Sequence, residues 1–151
     1  DDLKKHHFPE KSFDIITLWH VFEHLYNPSE TLKEIKRILK NDGILIMETP
    51  NIDSFSFKVF NGYHFHLDSP RHLHHWTKNS MKQILNKNGF IVHKTEYPIF
   101  NYPLSSFHSF KNFSKSRSAL IIALPFLILI TFLSQSIPAR REVLRTYAGK
   151  N

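Results

Sequence analysis

Three side chains capable of acid–base and metal chemistry fall close together as an H-x-x-E-H group: His20, Glu23 and His24. On a helical turn, positions i, i+3 and i+4 share one face. Two imidazoles and a carboxylate so placed could hold a divalent cation, set a base beside a nucleophilic hydroxyl, or brace a turn. A second concentration follows, with His64, His66, His72, His74 and His75 in one short stretch. Zinc needs three or four converging ligands, and spacing alone does not show convergence. Neighbours on a strand point to opposite faces, so His74 and His75 would not act together there. The preferred reading is a lid lining an acceptor pocket, with His72 and His75 on the acceptor side and Arg71 available to an anionic group. Loop histidines without chemistry are the plain alternative. The chain has no cysteine, which excludes disulfides, thiolate metal sites and cysteine nucleophiles.

These groups need elements to hold them. Phe13-Asp14-Ile15-Ile16-Thr17-Leu18-Trp19 is almost wholly apolar, the pattern of a strand buried on both faces of a parallel sheet. It delivers Trp19 to the carboxyl edge, where open α/β sheets bind ligands. Asn27 can cap the next helix, Pro28 suits its first position, and Glu30 stands where a capping-box carboxylate would. Leu32, Ile35, Ile38 and Leu39 form its apolar stripe, and Asn41-Asp42-Gly43 stops it. Residues 44–48 read as a second buried strand ending at Thr49-Pro50-Asn51, completing a right-handed βαβ unit. Residues 52–76 read as a long loop of the lid type. Thr77 caps a helix with Met81, Ile84 and Leu85 on its apolar face, closed by Asn88-Gly89. Residues 90–97 and 142–148 are the remaining strands.

At 151 residues there is room for one compact domain. With 41% hydrophobic and 22% charged residues the chain has a globular balance, not a disordered one. Twenty basic against 13 acidic side chains give a net charge of +7. The basic residues are spread out, without the concentrated patch of a nucleic-acid footprint, so the charge points to solubility or membrane proximity and away from nucleic acid. Asp1-Asp2-Leu3-Lys4-Lys5 lacks the apolar core of a secretory signal. Residues 119–133 carry no charge and are flanked by Lys115, Arg117, Arg140 and Arg141. A full span needs about 20 apolar residues, Pro125 should kink a helix, and a crossing would part residues 142–148 from their sheet. An interfacial or re-entrant helix is expected, ahead of a buried or substrate-tunnel helix and of a true span.

Several segments, in order, resemble the class I S-adenosylmethionine-dependent methyltransferases. They are Phe8-Pro9-Glu10-Lys11-Ser12-Phe13-Asp14 followed by Leu18-Trp19-His20-Val21-Phe22-Glu23-His24-Leu25, then Arg37-Ile38-Leu39-Lys40-Asn41-Asp42-Gly43, Glu48-Thr49-Pro50-Asn51, Asp68-Ser69-Pro70-Arg71-His72-Leu73 and Asn88-Gly89-Phe90. The resemblance implies an α/β Rossmann-like sheet, incomplete and holding strands four to seven, with an apolar helical insertion before the last strand. Residues 1–97 would be the C-terminal part of the methyltransferase domain, 98–141 the insertion at a membrane surface, and 142–151 the last strand.

The same resemblance implies site roles. Asp2 would accept a hydrogen bond from the adenine amine, Leu3 would offer its backbone N–H to the ring, and Trp19 would line the cofactor cleft. Some relatives carry E-x-x-E-H and use it for a divalent ion; here His20 replaces the first Glu. The family's glycine-rich turn brings backbone N–H groups to the cofactor, but Gly43, Gly62, Gly89 and Gly149 form no such turn. The expectation is a fragment whose first three strands lie upstream of Asp1 and which alone holds S-adenosylmethionine weakly or not at all.

In the complete enzyme an acceptor oxygen, nitrogen or carbon would attack the sulfonium methyl in line. The protein would supply proximity and orientation, with His20 or His24 assisting proton removal. The acceptor is expected to be a small molecule or lipid-like, met in the cytoplasm or at its membrane surface. Two rivals stand beside this reading: a non-catalytic, membrane-associated interaction module with a degenerate methyltransferase fold, and a metal-assisted RNA methyltransferase.

Overall fold

The computed structural model describes residues 3–99 and 104–151. Among them, four strands form one sheet in the order β1-β2-β4-β3. These are β1 (Phe13–Trp19), β2 (Leu39–Pro50), β3 (Phe90–Glu96) and β4 (Val143–Lys150). β1 and β2 run parallel, with Ile16 opposite Leu45 and Trp19 opposite Glu48. The last strand in the chain enters between β2 and β3, antiparallel to both.

Helix α1 (Pro28–Ile38) bridges β1 and β2. Asn27 caps it by accepting from the Glu30 N–H at 3.4 Å, while the Glu30 carboxylate takes the Lys33 ammonium at 2.8 Å. Leu32, Ile35 and Ile38 are buried, as the stripe predicts. The helix does not reach Asn41: it passes directly into β2 at Leu39. Residues 40–43 then bulge from the ladder, since β2 advances from Leu39 to Ile44 while β1 advances only from Phe13 to Ile15. Gly43 makes this bulge possible, because a Cβ there would stand 2.8 Å from the Leu39 side chain and 3.0 Å from the Asp14 carbonyl.

Helix α2 (Phe55–Phe60) and two 3₁₀ turns, Asn61–Tyr63 and Phe65–Leu67, occupy the segment that reads from sequence as a loop. Ser54 starts α2 by accepting from the Phe57 N–H at 3.2 Å. Helix α3 (Lys78–Lys87) opens with a capping box between Thr77 and Ser80 and buries Met81 and Leu85. Gly89, at φ 77°, closes it in the left-handed conformation that favours glycine. Leu32, Ile35, Met81 and Leu85 meet Leu45, Met47, Phe90, Leu144 and Ala148 of the sheet in one core, together with Phe22 and Trp76. Each Leu, Ile, Met or Phe among them stabilises the fold by about 1.5–3 kcal/mol on burial.

The other sheet face differs. The apolar run of β1 predicts burial on both faces, yet Ile15 is 57% and Trp19 47% exposed. β1 is an edge strand, and its Ile16 and Leu18 pack toward the core. An apolar pattern shows that a strand wants cover; it does not show that the described residues supply it.

Helices α4 (Ser105–Phe113) and α5 (Arg117–Ser136) pack on each other and on α2. α5 is one helix of 20 residues with Pro125 inside it. The proline removes the hydrogen bond to the Ile121 carbonyl without ending the helix. Beyond α5, Asn51 fastens the approach to β4: its amide donates to the carbonyls of Arg141 at 2.9 Å and Ala139 at 3.3 Å.

Candidate active site

A polar row crosses the open sheet face near the carboxyl ends of β1 and β2. Trp19, Glu48 and Arg145 are in register on neighbouring strands, so their side chains share a face. Arg145 Nε donates to Glu48 Oε2 at 2.8 Å, and its guanidinium lies 5.0 Å from the Trp19 ring centroid, within reach of a cation–π attraction.

Just past Trp19 the chain turns sharply. His20 sits at φ 52°, a left-handed conformation costing a non-glycine residue about 1 kcal/mol or more. Its N–H is fixed to the Glu48 carbonyl at 2.9 Å. A 3₁₀ turn, Phe22–His24, follows. Phe22 anchors this turn in the core, 5.1 Å from the Trp76 ring, and Glu23 is carried in to full burial. His20 Nδ1 stands 3.3 Å from Glu23 Oε1, and its Nε2 stands 3.3 Å from Glu48 Oε1. The Glu23 carboxylate, and after it Glu48, outweighs burial and raises the His20 pKa above the usual imidazole value. At 3.3 Å the Glu23 contact is an ion pair when His20 is protonated. Neither oxygen of Glu23 accepts a hydrogen bond from the described residues.

His24 turns to a different partner. Its Nδ1 donates to the Arg71 carbonyl at 2.9 Å, and His72 Nδ1 donates to the His66 carbonyl at 2.8 Å. A carbonyl only accepts, so both rings carry the proton on Nδ1, and in a neutral ring Nε2 keeps its lone pair. The two rings are 4.7 Å apart. Glu23, His24 and His72 can each present one ligand atom within 4.8 Å of the others. The loop bearing His72 is tied down by the Glu23 carbonyl, which accepts from the N–H groups of Leu73 at 2.9 Å and His74 at 3.1 Å. A cleft of about 170 Å³ opens here, lined by His20, Glu23, Phe65, His66, Asp68 and His72.

The H-x-x-E-H group thus divides. Glu23 is shared, His20 turns to Glu48, and His24 turns to His72. Of the residues expected on the acceptor side, only His72 lines the cleft. Arg71 points to solvent, with its guanidinium on Asp68 at 2.8 Å. His75 Nε2 donates to the Leu67 carbonyl at 3.1 Å, and the His74 ring lies 5.6 Å from Trp76. Leu3 lines a separate hollow of about 610 Å³ with Leu18, Val21, Leu25 and Tyr26. Asp2 lies outside the described residues.

The sequence reading missed Glu48 and Arg145, and also the deepest polar cluster. Ser56, His64 and Glu142 are all buried. Ser56 Oγ donates to Glu142 Oε1 and accepts from His64 Nε2 at 2.8 Å, while His64 Nδ1 accepts from the His66 N–H at 3.2 Å. Burial pushes Glu142 up, but the close His64 imidazole at 3.3 Å, the Ser56 hydroxyl and the His66 ring prevail, holding it below the usual carboxylate range. Burial pushes the His66 imidazole down to about 3. A charged residue closing an apolar strand was the available signal for Glu48; nothing local in the sequence announces Glu142.

A family model described as "Methyltransferase domain" matches residues 1–95, the segment holding every group of this site except Arg145 and Glu142. The chain belongs to the class I S-adenosylmethionine-dependent methyltransferase family. Over 52 residues it is 42% identical to the ubiquinone biosynthesis O-methyltransferase of Glaesserella parasuis, a match covering 34% of this chain and 22% of that one. Its fold resembles that of an S-adenosylmethionine-dependent methyltransferase from Archaeoglobus fulgidus, with a TM-score of 0.59 at 18% identity over 99% of this chain and 65% of that one. A methyltransferase from Mesorhizobium loti gives 0.58 at 17% identity, over 99% of this chain and 67% of that one. The chain thus spans less than two thirds of the Archaeoglobus protein, and its match to the curated relative spans about a fifth of that protein.

Proposed function

We propose that this chain forms the acceptor side of an S-adenosylmethionine-dependent methyl-transfer site. The observation carrying this reading is His20, held between the carboxylates of Glu23 and Glu48 at a strand edge where open α/β sheets receive ligands. S-adenosylmethionine, when bound, supplies a methyl group on an electrophilic sulfonium. The apolar wall of Leu3, Leu18, Val21 and Leu25 suits a purine ring. A glycine-rich turn would supply the rest of the grip, so the acting species is this chain joined to such a segment.

At the acceptor, neutral His20 would take the proton that a hydroxyl gives up on methylation. Glu23 and Glu48 stabilise the resulting imidazolium. A groove of about 780 Å³ lined by Val59, Phe60, Tyr63, Phe110, Phe113 and Phe126 suits an apolar tail, which favours a lipid-like acceptor. With a glycine-rich cofactor segment present, His20→Ala should lower turnover by roughly 10²–10⁴-fold while the thermal midpoint, read in alkaline buffer where His20 is uncharged, holds. Parallel losses of both would return His20 to a structural role.

A second reading rests on Glu23. Its buried oxygens lack hydrogen-bond donors among the described residues, and they lie beside two rings whose Nδ1 atoms are already committed to carbonyls. That is how metal-bound imidazoles are oriented. Glu23, His24 and His72 would hold a divalent cation, which polarises an acceptor oxygen. Calorimetric titration of the chain with zinc or manganese should show binding that Glu23→Gln and His72→Ala abolish and His75→Ala spares. An absence of heat would end this reading and leave the acid–base one standing.

A further inference from the structure

Helix α5 is inside out. A surface helix normally buries an apolar stripe and shows water its polar side. Here Ser134 and Gln135 are buried with Leu127 and Ile130. Ile121, Ile122, Phe126 and Phe132 stand outward, with Ile122 80% exposed. α4 follows the same rule, burying Ser105, Ser106 and Ser109 while Phe113 is 62% exposed. Small polar residues inside and bulky apolar ones outside is the distribution of helices facing lipid. α5 is long and apolar enough to cross a membrane, yet only 17% of its most apolar stretch is buried.

A crossing is ruled out by the topology, because β3 precedes this helix pair, β4 follows it, and the two strands pair in one sheet. Charge identifies the cover. No acidic residue occurs between Glu96 and Glu142. Within that stretch Arg140 and Arg141 are committed to the carbonyls of Asp53, Gln135 and Tyr97. Lys111, Lys115 and Arg117 instead surround the α4–α5 turn, lining a hollow of about 290 Å³ with Ser114 and Ser116.

We propose that α4 and α5 dock this protein on one leaflet of an anionic phospholipid bilayer. The outward face of α5 sits among the acyl chains, and Lys111, Lys115 and Arg117 sit at headgroup level. Phe126 belongs both to that face and to the lining of the apolar groove, so the bilayer contact continues into the recess beside α2. The proposal goes beyond methyl transfer and does not depend on it.

Co-sedimentation of the full chain with phosphatidylglycerol–phosphatidylcholine vesicles, against phosphatidylcholine alone, tests it. Partitioning onto the anionic vesicles should be the stronger and should fall with salt. Replacing Lys111, Lys115 and Arg117 together by Gln should weaken it on the order of a hundredfold. The pair Ile122→Ser and Phe132→Ser should weaken it about tenfold or more with the circular dichroism spectrum unchanged. Equal partitioning onto both vesicle types overturns the proposal. So does a chain that stays monomeric and vesicle-free in low salt, and so does a dimer through this face that excludes vesicles.

Discussion

Two histidine–glutamate clusters occur in the molecule, and they differ in how fully their polar atoms are occupied. Around Ser56, His64 and Glu142 both imidazole nitrogens, the hydroxyl and one carboxylate oxygen are hydrogen-bonded in a buried network, while Glu142 Oε2 accepts no hydrogen bond from the described residues and faces His64 Nε2 at 3.3 Å. Around Glu23, His24 and His72 the Nδ1 atoms are fastened to carbonyls, while the Glu23 oxygens receive no hydrogen bond from the described residues and the cleft stands open. A largely satisfied polar network rigidifies a fold; a carboxylate with neither oxygen hydrogen-bonded, beside a cleft, is a place for a ligand. Histidine density alone does not distinguish the two. What the second ring nitrogen does, does.

The strongest way to break this comparison is to mutate both clusters alike. His64→Ala should cost about 3 kcal/mol or more, because it strands a buried carboxylate, and the urea midpoint reports it. Glu23→Gln, in alkaline buffer where His20 is uncharged, should leave stability unchanged or raise it by about 1 kcal/mol. Similar losses from both would erase the distinction.

Acid sharpens it next. His66 has its folded pKa lowered to about 3 from 6.5, so the unfolded chain binds the proton first. Its contribution is full above 6.5 and is lost as pH falls toward the folded value, at up to about 1.4 kcal/mol per pH unit. Glu142, also lowered, adds its loss below the ordinary carboxylate range. His20 runs the other way: its raised pKa contributes fully below 6.5 and fades as pH climbs through the folded value. Urea midpoints across this range should flatten on the acid side in His66→Gln and on the alkaline side in His20→Gln.

The smallest expected effect is that of Arg71→Gln. The side chain is 75% exposed on Asp68, so the loss should stay within about 0.5 kcal/mol. The Arg71 carbonyl that orients His24 is untouched.

Local signals carried much of this fold. The caps at Asn27 and Thr77, the stripes of α1 and α3, and the turn at Gly89 all act within a few residues, and periodicity exposes them. The parallel pairing of β1 with β2 follows from two apolar runs and one helix between them. What could not be read is long-range or depends on cover. Ser56 meets Glu142 across most of the chain, and Arg145 finds Glu48 only through the register of β4. The exposure of Ile15 and the outward face of α5 depend on neighbours that an apolar pattern requests without naming. At the site, His20 and Glu23 were legible as a pair, but the partnership of His24 with His72 required the loop to fold back onto Glu23.

The place of β4 also sets the order in which the molecule can be made. It is the last strand in sequence yet lies between β2 and β3, so those two strands keep bare inner edges until residues 143–150 leave the ribosome. α4 and α5 emerge before then. At about 5–20 residues per second, α5 precedes the end of β4 by roughly one to three seconds. During that interval its apolar face and two open strand edges are presented together, and sheet closure waits on distant contacts that form slowly. Newborn chains should therefore reach a lipid surface or a chaperone before they reach the native sheet.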